Sequence, residues 1–253
     1  FSSRRRHTRL RTVTGVQTCA LPIFGTSGYN YPEWKGSFYP DNLPAAKMLP
    51  YYAARFSTVE INYTFYRMPN EATVAKWAAE TPSPYRLTLK APRRITHDSR
   101  LRQVGELVNG FCRVAGMLGG KLGVLLFQLP PNLKKDLGLL DAFLADLPPK
   151  VSAAFEFRHA SWLEDDVFDR LAARQLALCV ADSEKLETPV RVTADYAYFR
   201  LRDEGYTPDD VARWADDIRR ATSSCRDVFV YFKHEDQGKG PALARLLMDR
   251  LGI

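Results

Sequence analysis

Cysteine is scarce in this chain of 253 residues: only Cys19, Cys112, Cys179 and Cys225 occur. No two of them form a CxxC pair, and an odd three remain once Cys19 is set aside with the segment that opens the chain. Such a set predicts neither a disulfide framework nor a zinc site, and it fits a reducing cytoplasm. Long apolar runs are also missing, and none approaches the roughly 20 residues of a membrane-spanning helix. HExxH and HxH are absent, so spacing predicts no metal site. Gly25-Thr26-Ser27-Gly28 lacks the spacing of a dinucleotide loop, which leaves any cofactor unknown.

Acidic residues are wanting in one place only. The first 23 residues carry five of the 36 basic residues and no Asp or Glu. The formal net charge of +7 invites a nucleic-acid reading. Without that segment, however, 31 bases face 29 acids, so most of the excess belongs to the leader. The leader makes a poor signal peptide, because residues 12–18 are polar where an apolar core is required. Its arginines and serines are compatible with a transit peptide. Residues 2–9 and 14–23 resemble instead the translation of a sequencing adapter joined to a truncated reading frame. The expectation is a leader at 1–23 without selected function, with the natural start of the first strand lost, and one domain at 24–253.

What the chain does have is alternation. Short apolar runs at 22–25, 58–61, 86–90, 123–128, 153–157, 178–181, 196–201 and 228–232 read as strands. Val124-Leu125-Leu126-Phe127 is apolar on both parities, as in a strand covered on both faces. Helical patterns lie between most of them. Thr207-Pro208-Asp209-Asp210 offers a cap, a proline at the first helical position and acids in the first turn. Asn70 caps a segment with Val74, Trp77 and Ala78 inward, and Gly240-Pro241 opens a last helix. Thr188-Pro189 leaves little room for a helix between 183 and 194. Eight strands alternating with helices predict an α/β fold, a single-domain TIM-type (β/α)8 barrel of ~250 residues. A doubly wound open sheet is the alternative, since periodicity does not show closure.

The polar residues gather at the strand ends, where barrels carry their chemistry. Glu156, Arg158 and His159 follow the fifth strand. Ser27 and Tyr29 follow the first; Glu60, Asn62 and Tyr66 the second; Lys90 and His97 the third; Gln128 the fourth. Asp182 ends the sixth, Arg200 the seventh, and Lys233 and His234 the eighth. Glu60 and Glu156 read equally as acid–base carboxylates or as interior acids neutralised by Lys90 or Arg158. Lys90 suits a Schiff base if desolvated, or more simply a counter-ion. His159 and His234 are acid–base candidates that would more often be structural hydrogen-bonders. Asp182 reads as catalytic or as a loop-holding turn residue. Arg158 and Arg200 suit an anionic ligand, and Trp162 joins the binding set. Tyr29, Tyr31, Trp34, Phe38 and Tyr39 form either a stacking wall or a loop folded over its own small core.

Taken in order, Gly25-Thr26-Ser27-Gly28-Tyr29, Trp34, Phe38-Tyr39-Pro40, Val59-Glu60-Ile61-Asn62 with Phe65-Tyr66, Ile95-Thr96-His97, Phe127-Gln128-Leu129-Pro130-Pro131 and Glu156-Phe157-Arg158-His159 with Ser161-Trp162 resemble the DUF72 (YecE-like) family. The resemblance runs from Phe24 to the C-terminus and implies a TIM-type barrel, with these positions lining its pocket. It implies no activity. Many members have a His-Gly pair after the seventh strand and paired asparagines after the eighth; here stand Arg200-Leu201-Arg202-Asp203 and Lys233-His234-Glu235, a more charged pocket. The leading expectation is an enzyme acting on a small polar, anionic molecule, with Glu156, His159, Glu60, Asp182 and His234 as catalytic candidates. A nucleic-acid-binding protein and a non-catalytic ligand sensor are the alternatives, the former disfavoured by a net charge of +2. Oligomeric state cannot be read.

Overall fold

The computed structural model describes residues 22–183 and 186–253. Apart from Pro22 and Ile23, the expected leader lies outside the described residues. Eight parallel strands, β1 (Ile23–Thr26), β2 (Thr58–Ile61), β3 (Arg86–Lys90), β4 (Leu122–Gln128), β5 (Ala153–Glu156), β6 (Ala177–Ala181), β7 (Tyr196–Leu201) and β8 (Asp227–Phe232), form one sheet. It runs from β1 through β8, β7 and so on to β2. The two ends meet: Ser27 bridges to Glu60, and the Gly28 amide donates to the Glu60 carbonyl at 2.8 Å. The sheet thereby curls into a TIM-type (β/α)8 barrel rather than an open doubly wound sheet. Ile23, the last residue assigned to the leader, is the first of β1 and pairs with Phe229.

Helices α1 (Met48–Ala53), α2 (Tyr63–Tyr66), α3 (Glu71–Glu80), α4 (Gly105–Gly116), α5 (Leu137–Asp146), α6 (Asp165–Ala173), α7 (Pro208–Ala221) and α8 (Lys239–Leu251) clothe the outside. Their starts follow the side chains that cap them. Asn70 accepts from the Thr73 amide at 2.8 Å, and Thr207 with Asp210 forms a reciprocal capping box on α7. No helix separates β6 from β7 among the described residues. There Thr188 donates its amide to Ala181, and the Thr193 hydroxyl bridges Leu176 and Leu178, so the connection folds back along β6. Among the described residues no helix is long and apolar enough to cross a membrane.

Strand alternation divides the side chains into two sets. Phe127, Phe155, Val180, Phe199 and Val230 face outward into the helix layer. Val124, Leu126, Ala154, Cys179, Tyr198, Phe229 and Tyr231 fill the barrel itself. Small residues on β5 and β6 face large rings on β7 and β8, which is how eight strands close around a filled interior. The Tyr231 hydroxyl bonds Thr58 at 2.8 Å and Thr88 at 2.7 Å, so these three interior hydroxyls satisfy one another. At Gly25 a Cβ would stand 2.1 Å from the Thr58 carbonyl oxygen, and only glycine lets β1 lie this close to β2.

Candidate functional site

Inward positions near the C-terminal ends of the strands carry Glu60, Lys90, Gln128, Glu156 and Arg200, all buried. Ser27 and Asn62 follow directly on β1 and β2. Arg200 is the hub. Its Nε lies 3.1 Å from both Glu60 oxygens, its Nη2 3.0 Å from Glu60 Oε1 and 3.0 Å from Ser27 Oγ, and its Nη1 3.2 Å from Glu156 Oε2. Glu60 also accepts from the Ser27 hydroxyl and, at 2.5 Å, from the Tyr198 hydroxyl, while Asn62 donates to Ser27 Oγ at 2.8 Å. Burial alone would raise both carboxyl groups. The Arg200 guanidinium pulls Glu60 below its ordinary value, and Arg200, Arg158 and Lys90 do the same for Glu156. Both are therefore carboxylates at neutral pH. Arg200 in turn is held above its ordinary value by the two acids, against the effect of burial.

Lys90 stands beside this network but outside it. Its Nζ lies 4.1 Å over the Phe65 ring, and no carboxylate among the described residues comes within 4.0 Å. Burial and the Arg200 charge lower its pKa to about 7, an effect that Glu156 and Glu60 only partly offset. Its backbone is fixed, because the Thr64 hydroxyl of α2 donates to the Lys90 carbonyl at 2.6 Å.

Two openings reach the network. A cavity of about 310 Å³ is lined by Glu156, Arg158, Ala181, Arg202, Thr188 and Pro131 among others. A larger cleft of about 810 Å³ is lined by Tyr29, Tyr31, Asn62, Tyr63, Phe65, Tyr66, Trp77, Lys90 and Lys233. Arg158 Nε donates to Glu156 Oε1 at 2.8 Å, and its other N–H groups have no partner among the described residues. Arg202 Nη1 lies 3.9 Å from the same oxygen, and its buried Nε is unpartnered among the described residues. Gln128 Nε2 is likewise buried without a partner there, next to Glu156 in the strand register. The mouth thus presents unused donors, and its unpaired acid among the described residues is Glu204, which is exposed at the cavity edge. Asp182 is committed to the Arg202 amide at 2.8 Å and to the Tyr206 hydroxyl.

A family model described as "Protein of unknown function DUF72" matches residues 23–253. The chain belongs to the DUF72 family. The UPF0759 protein YecE of Escherichia coli K12 is 33% identical over 109 residues, a stretch covering 43% of this chain and 40% of that protein. The UPF0759 protein YunF of Bacillus subtilis is 22% identical over 86% of this chain and 91% of its own. The crystal structure of a DUF72 family protein from Thermotoga maritima superposes with a TM-score of 0.83 at 25% identity, covering 92% of this chain and 100% of that one. A DUF72 protein of Enterococcus faecalis shares the fold, with a TM-score of 0.79 at 16% identity over 92% and 96% of the two chains.

Within the DUF72 barrel the residues read from sequence divide. Ser27, Glu60, Asn62, Lys90, Gln128, Glu156, Arg158 and Arg200 converge at one end. Tyr29, Tyr66 and Lys233 line the larger cleft, Tyr66 being 76% exposed and Lys233 paired with Glu235 at 3.2 Å. His97 packs edge-on against Phe65 with ring centres 5.0 Å apart, and burial together with Lys90 and Arg158 lowers its pKa. His234 bonds the Asp203 carbonyl through Nε2 at 2.6 Å and packs beside Tyr206, away from both carboxylates.

Two residues do not fit a pocket role. His159 turns its Nδ1 to the Ser161 amide, 3.2 Å away, and caps the turn Ala160–Trp162. Trp162 is wholly buried, stacks on Phe157 at 5.0 Å and donates to the Leu133 carbonyl at 2.7 Å. Both lie beyond the strand, where period-two alternation no longer sets direction. Arg200 is corrected as well: with no exposure, its guanidinium holds two acids and is closed to a ligand. The aromatic run splits, since Trp34 and Tyr39 are buried in a small core while Tyr29 and Tyr31 face the cleft. Tyr198 belongs to the network without having been expected there, although it shares a parity with Arg200, which was the available signal.

Proposed function

We propose that this DUF72 protein is an enzyme acting on a small anionic molecule at the C-terminal mouth of its barrel, with Arg158 and Arg202 holding the anion and Lys90 as the basic group at the reacting centre. One observation carries this reading: Lys90, Arg158, Arg200 and Arg202 share only Glu60 and Glu156, and one of the four, Lys90, is left without an acid among the described residues. Counting Asp182 still leaves cations in the majority over the buried acids; the fourth acid, Glu204, stands in solvent at the cavity edge. A buried ionic cluster of this kind returns little net stability once desolvation is charged against it, so stability alone does not account for the surplus. An anion entering beside Arg158 completes the charge balance and meets donors that are otherwise unused.

Glu60 and Glu156 are held ionised, so the general-acid work considered for them passes elsewhere. Their role in this reading is to position Arg200 and Arg158. A strongly perturbed amine in a cleft is the kind of group that active sites tune. Nucleic acid is the weaker reading, because the cations lie inside the mouth and not along an outer face.

The test is thermal unfolding and calorimetry with inorganic phosphate and small carboxylates, each against a neutral isostere. The expected result is a concentration-dependent rise in melting temperature for the anions alone, lost in Arg158→Gln. A response to neutral molecules and none to anions overturns the reading. Anion binding without turnover in a broad activity screen leaves a sensor instead of an enzyme.

A further inference from the structure

The mouth holds three features whose combination a proton-exchange role does not require. Lys90 Nζ rests on an aromatic face, with Phe65 at 4.1 Å. The two nearby acids are already satisfied, Glu60 by Arg200, Ser27 and Tyr198, and Glu156 by Arg200 and Arg158. And the amine lines the open cleft, while Arg158, whose charge acts on it, lines the neighbouring cavity at the same barrel end. A buried lysine tied to a carboxylate stays protonated and inert. Here the acids are taken by guanidinium groups, which never release a proton in the working range.

We propose that Lys90 is a nucleophile that forms an imine with a small aldehyde or ketone carrying a carboxylate or phosphate, the anionic group being held by Arg158. This rests on the anionic-ligand reading above and names the bond made within it. The unprotonated Nζ adds to the carbonyl carbon, and the carbon–oxygen π pair moves to oxygen, which takes a proton. The resulting carbinolamine loses water: the nitrogen lone pair closes the C=N bond, the C–O bond breaks, and the water carries away two hydrogens, matching the two that the amine nitrogen gives up. Amine and carbonyl give imine and water, with no oxidant or reductant required. A free amine is the prerequisite for attack, and its pKa near 7 supplies one at neutral pH. The charged groups acting on Nζ are Arg200, Arg158, Glu156 and Glu60, and His97 lies across Phe65.

The experiment is reductive trapping on the whole chain. The protein is incubated with glyoxylate in one arm and glycolaldehyde phosphate in the other, with acetone as the neutral control, and reduced with borohydride. Intact mass and peptide mapping then locate the adduct. The expected result is one adduct per chain, on Lys90, from at least one anionic arm, with yield rising through a midpoint near pH 7 as opposed to the ~10.4 of exposed lysines. Arg158→Gln lowers the yield about tenfold, the effect of losing roughly 1.4 kcal/mol of binding. Adducts spread over Lys76, Lys233 and other exposed lysines, with Lys90 unmodified, overturn the proposal. If phosphate and glyoxylate still raise the melting temperature through Arg158 in that case, the imine falls and the anion site stands. If they do not, both fall. Lys90→Met serves as the blank, and the mapping on the unaltered chain decides even if that variant misfolds.

Discussion

In the folded chain the Lys90 amine is near half protonation at pH 7, whereas unfolded it titrates near 10.4. Between those values the unfolded state binds a proton that the folded state does not, so stability rises with pH across that window and levels off above it. Below pH 7 the protein carries a buried, unpaired ammonium. Lys90→Met removes the charge at similar length, and urea titrations of the variant should show the pH 7–10 rise flattened by a few kcal/mol, on the order set by 1.36 kcal/mol per pKa unit. An unchanged slope would mean that Lys90 is solvated or paired. Glu156 has the opposite sign: its folded pKa is depressed, so its contribution is present above the ordinary carboxylate range and is lost as pH falls toward its folded value. Glu156→Gln leaves Arg200 and Arg158 short of a counter-charge and should cost about 3–5 kcal/mol at pH 7, with the gap to the parent narrowing in acid. At this scale the sequence told much. The parity of Glu156 against Phe155 and Phe157 put the acid inside the barrel, and the cluster of charges at the strand ends was visible. Which acid meets which base was not, since Glu60 meets Arg200 across 140 positions, through the stagger of a closed sheet and not through any spacing.

Among elements, the strands were the legible part. All eight apolar runs are strands, with small differences at the ends: β1 runs one residue later, from Ile23 to Thr26, β4 starts at Leu122, β6 at Ala177 and β8 at Asp227, while β5 stops at Glu156. The caps on α3 and α7 were equally readable because a cap is a local hydrogen bond. The five-residue turn Arg94–Asp98, with its wider hydrogen-bonding ring, was not, because nothing in its composition distinguishes it. Two substitutions test the local arguments. Thr207→Ala deletes half of the capping box and should cost about 1 kcal/mol in denaturant unfolding, with the barrel otherwise intact. Gly25→Ala puts a methyl group where the Thr58 carbonyl stands at 2.1 Å. The β1–β2 seam must open to admit it, so the cost should exceed the ~1–3 kcal/mol of ordinary overpacking. It should also disturb Ser27 and Glu60, which form the bridge that completes the ring. If the Gly25→Ala variant proves as stable as the parent, the seam is looser than its geometry implies.

For the whole molecule, the question is what a net charge of about +2 over residues 24–253 means when four cations crowd one mouth. A nucleic-acid face needs cations in an exposed stripe, so that each one meets a backbone phosphate and releases a counterion. Here Arg200 is fully buried, Lys90 nearly so, and the Arg158 and Arg202 side chains keep only 28% and 26% of their exposure. Elsewhere, Arg213, Arg219 and Arg220 on α7 are each paired with an acid three residues away. A polyanion therefore meets a surface close to neutral as a whole, while a molecule small enough for a cavity of about 310 Å³ reaches the concentrated charges. Mass action gives the size of the response: an anion at 100 times its Kd stabilises the fold by about 2.7 kcal/mol. The expected outcome, for a chain beginning at residue 22, is a melting temperature that climbs with small-anion concentration. Binding to a DNA or RNA duplex at about 0.15 M salt should be no tighter than about 10⁻⁴ M, the weak end of non-specific association. Micromolar duplex binding with a steep salt dependence would move the functional surface off the barrel mouth and onto a face of the helix layer.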